Sequence, residues 1–330
     1  MKYFAILALF LPLTLFAQVD PNDASQIAGT INFTLTPEMP APRSPVSVRI
    51  SAYGFSLDAS DITWRLNGAV IGRGHGLTTA NFTTGDNGTA SNLTVTVTTS
   101  DGTQIERSFV VTPSSIDLLV EPETYTPPFY KGRGLWSFQS QVTVVAVPHV
   151  VVSGRELNPT NLVYTWSKDG TVLGQSSGAG KNSLSFVDSP LSLPTTITVS
   201  VSSNGSDPLG TASIGLQADA PTLTVYEDNP LFGLLLNNAI QDSSTLKERE
   251  VTFAAIPFGF AESTRNSSKL SYTWNLNGTT ANQSGSSVTF RAPAGVTGNS
   301  NVDVSVRDTA TALQSAEKNF LVQFGNNASL

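Results

Sequence analysis

Cysteine is absent from all 330 residues. The chain therefore has no disulfide, no thiolate nucleophile and no cysteine metal site, and its domains must be held by core burial alone. Histidine occurs only as His75 and His149, which leaves few candidates for general acid–base chemistry. Charge is also scarce, at 13% of residues, and 18 Lys and Arg stand against 25 Asp and Glu for a net charge of −7. No basic cluster appears. Nucleic acid is excluded as a partner on that ground, since neutralising phosphates needs clustered Lys and Arg. The same deficit argues against electrostatic attachment to anionic lipid. Beyond the N-terminal segment no apolar run approaches ~18 residues, so no transmembrane segment is expected in the mature chain.

What is present begins with MKYFAILALFLPLTLFAQVD. Lys2 precedes an apolar run from Tyr3 to Phe16, and the small residue Ala17 follows. The run is short for a spanning helix and fits a signal peptide over 1–17, cleaved after Ala17 to leave a chain beginning near Gln18. An uncleaved anchor is the competing reading. No cysteine follows the run, so a lipoprotein anchor is excluded. The expected location is extracellular, cell-surface or periplasmic. The C-terminus carries no sortase-like tail or span, so retention is expected to depend on a partner, or the protein is released.

Three phrases repeat in register: ITWRLNG at 62–68, YTWSKDG at 164–170 and YTWNLNG at 272–278. Their tryptophans, Trp64, Trp166 and Trp274, lie 102 and 108 residues apart, the length of one β-sandwich domain. Before each phrase runs an alternating stretch: VSVRISA (46–52), VTVVAVP (142–148) and VTFAAIP (251–257). Another follows each: LTVTVTT (93–99), ITVSVSS (197–203) and VDVSVRD (302–308). Alternation means strands with one buried and one solvated face. The fold class is all-β: three tandem immunoglobulin-like sandwiches after a signal peptide, with domains at 18–113, 114–220 and 221–330. Strand parity puts each tryptophan on the same face as the residue two before it (Ile62, Tyr164 or Tyr272), so Trp64, Trp166, Trp274, Tyr164 and Tyr272 are expected in the cores. The pairs Asn67-Gly68, Asp169-Gly170 and Asn277-Gly278 suit type I′ hairpins.

This succession of strand B, strand C tryptophan, C–C′ hairpin and strand F resembles bacterial immunoglobulin-like and PKD-like domains. The glycine-aspartate-glycine turn that follows the PKD tryptophan is missing from all three phrases, which places the repeats in the wider immunoglobulin-like class. YTPPFYKG (125–132) and YEDNPLFG (226–233), together with the signal peptide and tandem arrangement, resemble a group of exported proteins from bacteria with very small genomes. That resemblance implies a surface or envelope location and carries no activity and no site residues.

Candidate chemistry is thin. GRGHG (72–76) has glycine spacing suggestive of a phosphate cradle, but a hairpin precedes it and no helix follows, so a plain loop is expected. No GxSxG elbow accompanies the serines and aspartates, and no carboxylate pair stands out for glycoside hydrolysis. The protein is expected not to be an enzyme. No cofactor is expected; calcium is the one weak alternative, at DPND (20–23), GDNG (85–88) and NGSD (204–207), none of which has EF-hand spacing. Asn-x-Ser/Thr tripeptides are frequent, as expected in a chain so rich in these residues.

The repeats differ most between their first two strands. The first crosses with PEMPAPRSP (37–45), whereas the second carries the stretch 121–141 and the third 226–250. Both longer insertions are unusually apolar for loops. Tyr125, Phe129, Tyr130, Trp136 and Phe138 stand in one, and Phe232, Leu234 and Leu235 in the other. Such area needs a cover, from a neighbouring domain, a partner or the loop itself. Two functions follow. One is a non-catalytic envelope or surface protein, a rod of domains for adhesion, spacing or assembly with a protein partner. The other is a carbohydrate-binding module or enzyme accessory, with Tyr130 and Trp136 as a stacking platform for glycan.

Overall fold

The structure, a computed structural model, describes residues 30–152, 154–187, 194–203, 208–246 and 249–325. The signal-peptide segment and the stretches 20–23 and 204–207 lie outside the described residues. The chain divides into two compact units, the first ending at Pro113 and the second beginning at Ser114.

Among its described residues the first unit is one sandwich of seven antiparallel strands: β1 (Thr30–Thr36), β2 (Pro45–Tyr53), β3 (Asp61–Leu66), β4 (Ala69–His75), β5 (Thr79–Thr83), β6 (Ser91–Thr98) and β7 (Gln104–Val111). They form a three-stranded sheet, β1-β2-β5, and a four-stranded sheet, β4-β3-β6-β7. That division is the immunoglobulin-like arrangement, in which consecutive strands switch sheets and close one core. β6 shows the cause at residue level: Leu93, Val95 and Val97 are fully buried while Thr94, Thr96 and Thr98 alternate outward. GRGHG departs from expectation, because Ala69–His75 is strand β4, paired with β3. Gly72 lies opposite Trp64, and a Cβ on it would sit 3.1 Å from Leu77 Cδ2. Its glycine serves close packing within a strand, not a flexible loop.

The second unit holds two such sandwiches. In the first of them, Ser115–Pro122, Gln141–His149 and Ser183–Val187 pair as one sheet, opposite Leu162–Lys168, Thr195–Ser203 and Pro208–Leu216. In the other, Thr222–Asn229, Glu250–Phe258 and Ser287–Arg291 oppose Leu270–Leu276, Gly298–Asp308 and Ser315–Phe324. The chain is thus all-β, a tandem array of three immunoglobulin-like sandwiches.

Each sandwich is centred on its repeated phrase. Trp64, Trp166 and Trp274 are fully buried, as are Ile62 and Tyr164, with Tyr272 at 8% exposure. Each indole N–H donates to a backbone carbonyl at 2.9 Å: Leu77, Lys181 and Gly285 respectively. A buried indole without an acceptor would lose much of what its area contributes. The hairpins have positive φ at both central residues, 49° and 85° at Asn67-Gly68, 49° and 79° at Asp169-Gly170, and 51° and 80° at Asn277-Gly278. Their side chains also act as clamps. Asn67 Oδ1 accepts from the Asn92 amide at 2.8 Å, Asp169 Oδ1 from Thr196 at 2.7 Å and Asn277 Oδ1 from Asn301 at 2.8 Å. The same residue type sets the turn and pins the start of the next core strand.

The long insertions serve sheet edges as well. In the third sandwich, Ser243–Thr245 runs parallel to Leu321–Gln323 of the last strand and covers that edge. In the second, Ser137 makes a parallel bridge to Asp219, with the Asp219 amide donating to the Trp136 carbonyl at 2.9 Å.

Candidate interaction surface

The insertion at 121–141 is a fixed loop rather than a loose one. Thr124 Oγ1 donates to the Leu135 carbonyl at 2.8 Å and closes its two arms. Ser137 and Ser140 exchange bonds, Ser140 Oγ to the Ser137 carbonyl at 2.8 Å and the Ser137 amide to Ser140 Oγ at 3.2 Å. Trp136, at 6% exposure, turns into the second sandwich. It stacks edge-on to Phe186 at 5.7 Å, packs with Val142 and Ala218, and donates its indole N–H to the Ser140 carbonyl at 3.1 Å. Phe138 joins that cluster. Anchored there, the loop reaches the third sandwich with its remaining residues.

That contact is built on an atypical strand. Glu250–Phe258 carries the third sandwich's core on Phe253 and Ala255, but Ala254 and Ile256, on its other face, are equally buried. A strand buried on both faces reads as a continuous apolar run, here Phe253 to Pro257, rather than as alternation. The stretch VTFAAIP, expected to alternate, differs from its counterparts for this reason. Tyr226, Ala254 and Ile256 form a second, outer cluster with Phe129, Leu234, Ala239 and Phe258. Phe129 meets Tyr226 edge-on at 5.8 Å, and Tyr130 meets Phe258 edge-on at 5.6 Å.

Backbone and polar groups complete the joint. The Tyr125 amide donates to the Phe260 carbonyl at 2.7 Å, and the Gly259 amide returns to the Tyr125 carbonyl at 3.2 Å. Gly259 has φ +78°, and a Cβ there would lie 2.8 Å from Leu135 Cδ2, so conformation and space both call for glycine. Ser137 Oγ donates to the Gly259 carbonyl. Gln314, fully buried, has each side-chain end engaged: Nε2 donates to the Phe138 carbonyl at 2.9 Å and to Ser137 Oγ at 3.1 Å, while Oε1 accepts from the Ala261 amide at 2.7 Å. Gln139 Oε1 accepts from the Leu313 amide at 3.1 Å.

The sequence-derived candidates therefore separate into three places. Phe129, Tyr130 and Leu234 meet in the joint between the second and third sandwiches, with Tyr125 at its edge. Trp136 and Phe138 belong to the second sandwich, and Trp136 presents no open ring face. Phe232 stands 77% exposed beside Leu231, 85% exposed, on the tip of a turn that Asn229 Oδ1 pins by accepting from both amides, at 3.0 Å and 3.3 Å. Leu235 is half-buried, its amide bonded to the Glu227 carbonyl at 2.9 Å. Sequence reasoning missed Ser137, Gly259, Gln314 and the outward face of Glu250–Phe258. The available signal was FAAIPFGF (253–260), apolar at both parities.

Each histidine is the last residue of its strand, Ala69–His75 or Gln141–His149. His75 Nδ1 is 3.4 Å from Asp61 Oδ1, and His149 lies between Asp117 at 3.5 Å and Glu156 at 3.4 Å. Among the described residues no group of three or more His, Asp or Glu side chains is placed to hold a metal, and no helix is long and apolar enough to cross a membrane.

No family model matches the chain, and no curated protein matches it. Several solved structures are similar to it at low identity. The central fibronectin-III array of RIM-binding protein is 10% identical, covering 91% of this chain and 98% of that one with a TM-score of 0.32. The three N-terminal domains of the highly immunogenic outer capsid protein of bacteriophage RB49 are 14% identical, covering 90% and 99% with a TM-score of 0.27. A Bacteroides ovatus protein of a mixed-linkage glucan utilization locus, SGBP-B in complex with a mixed-linkage heptasaccharide, is 12% identical, covering 89% and 70% with a TM-score of 0.22. All three scores are low, and the strand pairing of the chain itself defines its immunoglobulin-like sandwiches.

Proposed function

We propose that the protein is a non-catalytic, exported array of immunoglobulin-like domains, at 18–113, 114–220 and 221–330, that serves adhesion, spacing or assembly at a cell envelope or surface by holding a protein partner. The observation that carries this reading is the use made of the apolar insertions. Trp136 and Phe138 anchor the 121–141 insertion in the second sandwich while Phe129 and Tyr130 join it to the third, which stiffens a pair of domains in the way a spacer requires. Leu231-Phe232 is held outward on an ordered turn, and that tip is the proposed partner contact. The burial of Trp136 counts against a glycan-stacking platform built on it with Tyr130.

A chain without cysteine allows a clean test. A photo-crosslinker attached at Phe232→Cys, on intact cells of the source organism, should give a discrete adduct that the same label at the exposed strand residue Val172, as Val172→Cys, does not. Identical adduct patterns from both positions would show that the tip is not the partner contact. A cytosolic location for the protein would remove the surface reading altogether.

A further inference from the structure

Beside the joint lies a cleft of about 540 Å³, lined by Tyr125, Pro128 and Phe129 of the second sandwich and by Leu234, Ile256 and Arg265 of the third. Its walls are aromatic and aliphatic, with one formal charge. Arg265 Nη1 is buried and has no hydrogen-bond partner. A buried guanidinium N–H without an acceptor is costly, and such groups are rare enough in native proteins to call for an explanation. The loop that carries it is firmly held. Glu262 bonds Lys269 at 3.0 Å and accepts from Ser267 Oγ at 2.7 Å, and the Tyr272 hydroxyl donates to the Arg265 carbonyl at 2.7 Å. Burial pushes the Tyr125 and Tyr272 phenols above their ordinary value, and the Arg265 charge opposes that rise in both.

We propose that this cleft binds a monocarboxylate on an apolar body, the carboxylate taken by Arg265 and the body lying along Phe129, Leu234 and Ile256. The volume and lining are those of a small-molecule site, an apolar pocket with few polar groups to set orientation. A carboxylate in the cleft supplies an acceptor for the guanidinium that lines it, in the geometry a guanidinium favours. The free acid of an aliphatic chain and the C-terminus of a peptide share this chemistry. The site stands independently of the scaffold reading, since a spacer with or without a ligand would be stiff in the same way.

The test is titration of the full chain at neutral pH with octanoate, with the dipeptide N-acetyl-Phe-Leu and with octanamide, followed through backbone amide shifts. At least one acid should bind with Kd on the order of 1 mM, moving the Tyr125 and Gly259 amides. The acid that binds identifies the source. Octanamide should bind about tenfold more weakly than octanoate if octanoate is the binder, and Arg265→Met should weaken the bound acid about tenfold, with Arg265→Lys in between. Thermal melts of both variants separate lost binding from lost folding, and the Lys variant keeps the experiment informative if the Met variant unfolds. Binding by neither acid, binding of the acid unchanged in Arg265→Met, or shifts confined to other surfaces would overturn the proposal.

Discussion

Replacing Gly259 with alanine loads the joint between the second and third sandwiches in two separable ways. Gly259 sits at φ +78°, where an L residue costs roughly 1–2 kcal/mol. Its new Cβ would also stand 2.8 Å from Leu135 Cδ2 and 3.2 Å from Cγ, so the Leu135 side chain must move, an overpacking cost of roughly 1–3 kcal/mol. The expected loss is about 2–5 kcal/mol. Gly278 provides the control: its φ is +80° but nothing lies within 4 Å of a Cβ there, so Gly278→Ala should show the conformational part alone. The assay is native-state hydrogen exchange, read at the Tyr125 and Gly259 amides that bridge the joint. Gly259→Ala should accelerate exchange at both amides, whereas Gly278→Ala should leave them near wild type if the joint opens locally. Equal effects of the two substitutions at the joint would refute the claim that Leu135 and Gly259 are in close contact.

Trp136→Ala should destabilise the second sandwich by ~3–5 kcal/mol, measured by urea denaturation, because it empties a buried site against Phe186 and Val142. Gln314→Leu leaves the Ala261 amide and the Phe138 carbonyl without their partner, a cost of about 2–4 kcal/mol in the same assay, although leucine is apolar and similar in size. The Thr196 amide, followed by the Thr195 hydroxyl, holds the Asp169 carboxyl below its ordinary value of 3.8. A group with a depressed folded pKa contributes stability above the unfolded value and loses it as pH falls through the folded one, so this contribution should fade below about pH 4. Melting temperatures of Asp169→Asn should therefore fall less steeply with acid than those of the wild type.

The sandwich interiors were open to sequence reading because period-two burial and the Asx-Gly hairpins are local properties. Thr94, Thr96 and Thr98 interleaved with Leu93, Val95 and Val97 leave one register for that strand. The clamp made by Asn67, Asp169 and Asn277 was hidden, since a turn residue and a turn residue that also binds a distant strand look alike in one dimension. The insertions were visible as apolar loops, but not the direction each side chain takes. Trp136 and Tyr130 lie six positions apart in one loop, and one enters its own sandwich while the other reaches the next. Only the cover available in space decides that. Arg265 gave no sign at all, because a lone arginine between Thr264 and Asn266 is ordinary until its surroundings are known.

The insertion at 121–141 should make the second and third sandwiches one stiff body. Residual dipolar couplings of backbone amides in Leu162–Lys168 and Thr195–Ser203 on one side, and in Leu270–Leu276 and Gly298–Asp308 on the other, test it directly. A single alignment tensor fitted to all four strands is the predicted result. Two tensors of different magnitude or orientation, each fitting only its own sandwich, would contradict it.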